Sequence, residues 1–205
     1  MKRIAAILLL MSFTLLAYAP KPQGCLTVDI MLLIDWSYSE NGNEKLLTSA
    51  AMLFASGLNI NNNQIRMGVM TFADEPVGLV GITGDKEKLK EEILNLSNTK
   101  CDGNTYLNNA ILNASTQLNN GRKVLKIIIV ISDGDVVDID QASKNVELLK
   151  TIMPLQVFAI QIGGYDGSII SNRSNLILLT GSPLMVEYSN PNGLLEALKK
   201  LDLCN

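Results

Sequence analysis

Short runs of β-branched and aliphatic residues alternate along this chain with longer segments whose apolar residues recur at helical spacing. That alternation restricts the fold to an α/β sheet covered by helices on both faces. The runs predict strands over residues 26–34, 65–72, 77–82, 124–131, 155–162 and 184–188. The first and fourth are almost continuously apolar, as strands buried on both faces are. Only a few residues separate the second from the third, too few for a crossover helix, so these two form an antiparallel hairpin with the third at an edge. Helices are predicted over 43–58, 85–96, 107–118, 141–151, 169–179 and 191–201. In the second of these, Asp85 is placed to cap the N-terminus, and Leu89, Ile93, Leu94 and Leu96 turn inward. No repeat or linker interrupts residues 25–205, which are read as one domain.

A chain of 205 residues with 47% hydrophobic and 18% charged residues has enough apolar side chain for a packed core. Its formal net charge of −3 gives no basis for binding nucleic acid, which calls for clustered Lys and Arg. Histidine is absent, which removes the side chain most often used for proton transfer near neutral pH.

Residues 1–24 read as a targeting segment: Lys2 and Arg3 precede an apolar stretch from Ile4 to Leu16, and Ala17-Tyr18-Ala19 supplies small residues for cleavage. The expectation is a secreted or cell-surface protein. The apolar stretch is shorter than the roughly 20 residues needed to span a bilayer. Pro20 disfavours cleavage directly before it, so a retained anchor, and with it membrane association, stays open as the alternative. Export permits disulfides. Cys25 and Cys204 bracket the domain, and since the ends of compact domains are commonly close, they are the natural pair. Closing so long a loop is worth about 2–4 kcal/mol in the chain-entropy view. Cys101 is left over, free or bonded to another chain.

In open parallel sheets, ligands bind beyond the carboxyl ends of the strands. Three segments fall there. Asp35-Trp36-Ser37-Tyr38-Ser39 follows the first strand, and its alternation sends three oxygen-bearing side chains one way if the backbone stays extended. Asp102-Gly103-Asn104-Thr105 precedes the helix at Leu107, and Asp133-Gly134 ends the most apolar strand. Each segment alone reads more readily as a helix cap or a turn than as a ligand site. Together they bring two carboxylates and three hydroxyls to one sheet edge. This hard oxygen set suits Mg²⁺, and without thiol or imidazole it is a poor zinc site.

This ordered set resembles the metal ion-dependent adhesion site (MIDAS) of von Willebrand factor A domains and integrin inserted domains. The resemblance extends to Thr71-Phe72-Ala73-Asp74-Glu75-Pro76 and to the strand from Val157 to Gly163. It implies a doubly wound, mostly parallel six-stranded sheet with one antiparallel edge strand. It further implies a Mg²⁺ or Mn²⁺ ion held by Asp35, Ser37, Ser39, Thr105 and Asp133, and an adhesive function in which a protein ligand completes the coordination with a carboxylate. The chain departs from the family pattern at Trp36, Tyr38 and Asp102, where small residues are usual. These three are candidate ligand-binding rim residues, with Trp36 equally readable as a packed loop residue. Asp135, Asp138 and Asp140 read as a solvated, helix-capping stretch rather than a second metal site. Two rivals remain: a metal-independent interaction module using another face, and a metal-dependent hydrolase, for which the chain offers no nucleophile–base pair. A binding protein rather than an enzyme is therefore expected.

Overall fold

A computed structural model describes residues 27–119, 122–162 and 169–188. The leader over 1–24, the Cys25–Cys204 pair and the helix expected over 191–201 lie outside the described residues. Six strands form one sheet in the order β3-β2-β1-β4-β5-β6. They are β1 (Val28–Asp35), β2 (Ile65–Phe72), β3 (Pro76–Thr83), β4 (Leu125–Ser132), β5 (Leu155–Gln161) and β6 (Val186–Tyr188). Among the described strands only the β2–β3 pair is antiparallel, and β3 lies at the edge, as the short connection requires. The remaining pairs are parallel. The helices are α1 (Glu44–Gly57), α2 (Lys86–Leu96), α3 (Asn108–Leu118), α4 (Ile139–Ile152) and α5 (Ile169–Thr180).

Strand periodicity divides the core in two. On one face, Ile30, Leu32 and Ile34 of β1 and Ile127, Ile129 and Ile131 of β4 pack with Leu47, Phe54, Leu89 and Ile93 of α1 and α2. On the other, Met31, Leu33, Ile128 and Val130 meet Ile111, Ala114, Val146 and Leu149 of α3 and α4. Every residue of β1 is buried, including Asp29. The Asp29 carboxylate is met by Arg66 Nε at 2.9 Å, Arg122 Nη2 at 2.7 Å and Lys126 Nζ at 2.8 Å. This ionic cluster closes the amino-terminal end of the sheet, opposite the edge where Asp35 lies.

Two details depart from expectation. Leu94 does not turn inward and is 53% exposed. Helical spacing puts Leu89, Ile93 and Leu96 on one stripe, and Leu94 lies a hundred-degree step off it. The last described strand is shorter than 184–188, because Pro183–Met185 forms a 3-10 turn with Pro183 in its first positions.

Candidate metal centre

The chain runs outward from β1 through β2 to β3, then returns to add β4 on the other side of β1. The crossovers therefore diverge between the carboxyl ends of β1 and β4, where an open sheet presents a crevice. Asp35 is the last residue of β1, and Asp133 directly follows β4. The third segment reaches the same place by backbone hydrogen bonds. Tyr38 N donates to Gly103 O at 2.9 Å, Asp102 N to Trp36 O at 3.0 Å, and Val137 N to Thr105 O at 3.0 Å. The Asp74 carboxylate, after β2, accepts both Asn104 N at 3.0 Å and Asn104 Nδ2 at 2.9 Å, pinning that loop beside β2.

Two glycines make these loops possible. Gly103 has φ +83°, and a Cβ there would come within 2.6 Å of Asp74 Oδ2. Gly134 has φ +86°, and a Cβ there would lie 2.5 Å from the Asn172 carbonyl oxygen of α5. Both the left-handed backbone and the close approach call for glycine. Asn175 Nδ2 donates to Gly134 O at 2.9 Å, tying the Asp133 turn to α5.

All five residues expected to hold a metal converge. Thr105 Oγ1 donates to Ser37 Oγ at 2.8 Å, and Ser37 Oγ lies 3.2 Å from Ser39 Oγ. The Ser39 hydroxyl lies beside the Asp133 carboxylate and favours its charged form against burial. Asp35 Oδ1 accepts Ser37 N at 3.0 Å, and Oδ2 accepts Ser132 Oγ at 2.6 Å. Ser132 also accepts Gly134 N at 2.9 Å, so it orients Asp35 and the Asp133 turn together. Asp35, Ser37, Thr105 and Asp133 are buried while Ser39 is exposed, so the cluster opens to solvent on the Ser39 side.

A sixth residue belongs to the cluster. Ser37 is extended as anticipated, with ψ 170°, but Tyr38–Glu40 then forms a 3-10 turn closed by Glu40 N donating to Ser37 O at 3.1 Å. Residues three apart in such a turn eclipse one another, which returns Glu40 to the side of Ser37. Strict alternation would have sent it away. Oxygens of Asp35, Glu40 and Asp133 lie within 4.8 Å of one another, and all three residues are buried. The sequence cue was the acid immediately following the Asp-x-Ser-x-Ser run, and only the turn gives it meaning.

The electrostatics follow from burial. Burial pushes the Asp35 carboxyl up to about 6 against the hydrogen bonds from Ser132 and Ser37. Burial, and next the Asp35 charge, push Glu40 up to about 8. Burial also raises Asp133. Among the described residues, none of the three carboxylates is in an ion pair with Lys or Arg. Buried carboxylates without a countercharge, fringed by neutral hydroxyls, are a donor set suited to a hard divalent cation.

Of the three rim candidates, Tyr38 is 68% exposed and Asp102 is exposed. Trp36 is different: it is 7% exposed and packed in the core against the α1 and α2 side. An extended backbone sends Trp36 to the face opposite Asp35 and Ser37, which at this strand end is apolar core. It is the packed loop residue, not part of an exposed rim. Asp138 serves a helix, though not its own. Its Oδ1 accepts Leu107 N at 2.8 Å and its Oδ2 accepts Asn108 N at 3.0 Å, capping α3 in the role that Thr105 could have filled. Cys101 is a free thiol and buried, with burial pushing it up to about 12.

Residues 30–135, more than half of the chain, match the von Willebrand factor type A domain family. No curated protein matches the chain. Among solved structures, three N-terminal domains of the type V pili tip protein Mfa5 from Porphyromonas gingivalis superpose with a TM-score of 0.73 and 14% identity, covering 86% of this chain and 49% of that one. Proximal thread matrix protein 1 from the mussel byssus, in a structure with a zinc-occupied MIDAS motif, gives 0.70 and 22%, covering 86% and 46%. Manganese-loaded TRAP protein from Plasmodium vivax gives 0.71 and 20%, covering 88% and 75%. The chain thus spans about half the length of the first two. With its sheet order, its converging loops and the match over residues 30–135, the chain belongs to the von Willebrand factor type A domain family.

Proposed function

We propose that this chain is an exported binding protein that holds Mg²⁺ or Mn²⁺ through Asp35, Ser37, Ser39, Thr105 and Asp133 and uses the ion to bind a protein ligand through a carboxylate. The observation that carries this reading is the hydroxyl chain from Thr105 through Ser37 to Ser39, which links the loops of two buried carboxylates that have no cationic partner among the described residues. A bound cation supplies the missing positive charge and a position that accepts an anionic oxygen. The chain's residues do the rest. Asp35, fixed by Ser132 and the Ser37 amide, presents its carboxylate from the sheet edge. Ser37, Ser39 and Thr105 offer neutral oxygens, so they add no negative charge beyond that of the two carboxylates and leave the centre without an excess charge that would repel an incoming carboxylate. Exposed Tyr38 and Asp102 flank this opening and are positioned to contact the ligand.

Export rests on the basic and apolar start of the chain, with residues 1–24 as leader and 25–205 as the domain. No helix among the described residues is long and apolar enough to cross a membrane. The proteins superposed above include a pilus tip protein and a MIDAS-bearing byssus protein, which favours binding over catalysis.

The test is thermal unfolding of the chain in chelator and in millimolar Mn²⁺ or Mg²⁺, with Asp133→Ala alongside. A metal that binds only the native state at a hundredfold excess over Kd stabilises it by about 2.7 kcal/mol. A rise in the wild-type midpoint that is absent from Asp133→Ala is expected. No rise in the wild type, together with no heat on direct metal titration, would favour a metal-independent interaction module.

A further inference from the structure

Glu40 stands outside the five-residue set and carries more buried, unanswered polarity than any member of it. The residue is 0% exposed. Its Oε1 is buried and meets no partner at full hydrogen-bond geometry, with only the Asp133 backbone amide close enough to favour its charged form, while Oε2 accepts Asn43 Nδ2 at 2.9 Å. One oxygen is therefore anchored and the other left unsatisfied. A ligand oxygen of Glu40 lies within 4.8 Å of those of both Asp35 and Asp133, a spacing that lets one cation touch all three. A buried polar atom without a partner is costly, and a buried carboxylate beside two others is costlier still. No lysine or arginine among the described residues is in an ion pair with it. A structural acid would be expected to use both oxygens. Here Asn43, one residue before α1, holds Glu40 by one oxygen only.

We propose that Glu40 is a third carboxylate ligand of the cation held by Asp35 and Asp133, positioned for that role by Asn43. The proposal rests on the metal-binding reading given above and extends its ligand set. Its consequence concerns charge. Three carboxylates exceed the charge of a divalent ion, so the chain retains the cation without help from a partner. An incoming carboxylate must then compete with Glu40 for the ion. Glu40 thus trades attraction for an acidic partner against retention of the metal, and the Ser37, Ser39 and Thr105 hydroxyls pull the other way.

Titration calorimetry of Mn²⁺ into the chelator-stripped full chain tests this, comparing wild type, Glu40→Gln and Asp133→Ala. Glutamine keeps the side-chain shape and an acceptor for Asn43 but removes the charge. Wild type is expected to bind one Mn²⁺, Glu40→Gln to bind it at least about tenfold more weakly, and Asp133→Ala to show no binding. In chelator, Glu40→Gln is expected to melt no lower than wild type, since a neutral amide of the same shape replaces a carboxyl whose charged form burial disfavours, so a fall in affinity is not a folding defect. Equal or tighter binding by Glu40→Gln, with wild type binding normally, overturns the role of Glu40 and leaves the five-residue site standing. Absence of binding by wild type overturns both.

Discussion

Thr105 Oγ1 donates a 2.8 Å hydrogen bond to Ser37 Oγ, joining two hydroxyls 68 positions apart in a buried setting. The bond ties the loop before α3 to the loop after β1. Its removal acts on stability and on the metal site at once. Thr105→Ala is expected to lower unfolding free energy in chelator by about 1 kcal/mol in urea titrations. It is also expected to shrink the Mn²⁺-dependent rise in melting temperature. Thr105→Ser, which keeps the hydroxyl, is expected to restore the metal response. A Thr105→Ala protein with the full metal response would remove Thr105 from the ligand set.

Asp138 caps α3 across the fold, with one carboxylate oxygen on Leu107 N and the other on Asn108 N. Leu107, at the N-cap position of α3, has no side chain able to cap, so nothing at that helix end replaces Asp138. Asp138→Ala is expected to cost about 1–2 kcal/mol, measured by urea unfolding. An Asp138→Asn protein keeps one acceptor oxygen and is expected to fall between.

At the far end of the sheet, Asp29 answers three cations, two of them on side chains with some solvent contact. Burial alone would raise its carboxyl, but the hydrogen bonds from Arg66, Arg122 and Lys126 outweigh burial and hold it well below the usual range. A depressed native value means the unfolded chain binds the proton first. The stabilisation is therefore complete above the unfolded value of about 4 and fades as pH falls below it. Asp29→Asn is expected to cost about 3 kcal/mol at pH 7 and to lose stability less steeply than wild type between about pH 5 and 2. Parallel slopes for the two proteins in acid would contradict this account.

Cys101 lies in the core against the α1 and α2 side, and burial, followed by the charges of Glu44, Glu40 and Asp35, pushes its thiol up to about 12. The thiolate is the reactive form, so native protein is expected to resist iodoacetamide at this position at pH 8 and to react fully in urea, read by mass spectrometry of the peptide. Rapid native labelling would show that the loop opens. The burial also disfavours a bond from Cys101 to another chain.

Hydrophobic spacing alone determined most of the architecture. A strand with no polar face, such as Leu125–Ser132, is stable only between two layers, and the short link from Phe72 to Pro76 permits only a hairpin. The convergence of the Asp-x-Ser-x-Ser run, Thr105 and Asp133 was likewise legible, through their resemblance to a known family's site and the rule that ligands gather beyond the carboxyl ends of parallel strands. Three roles were decided only by tertiary structure. Trp36 could face solvent or core, and the apolar surface of α1 and α2 beneath it settles the matter. Asp138 is too far in sequence from Leu107 for any local rule to pair them, since the bond depends on how the β4 turn meets α3. Glu40 joins the acidic cluster because a single 3-10 turn replaces extended backbone after Ser37, and so small a change in φ and ψ leaves no periodic signature in a sequence. Sequence patterns report averages over a face or a stripe, whereas a binding site depends on individual side chains whose partners come from distant parts of the chain.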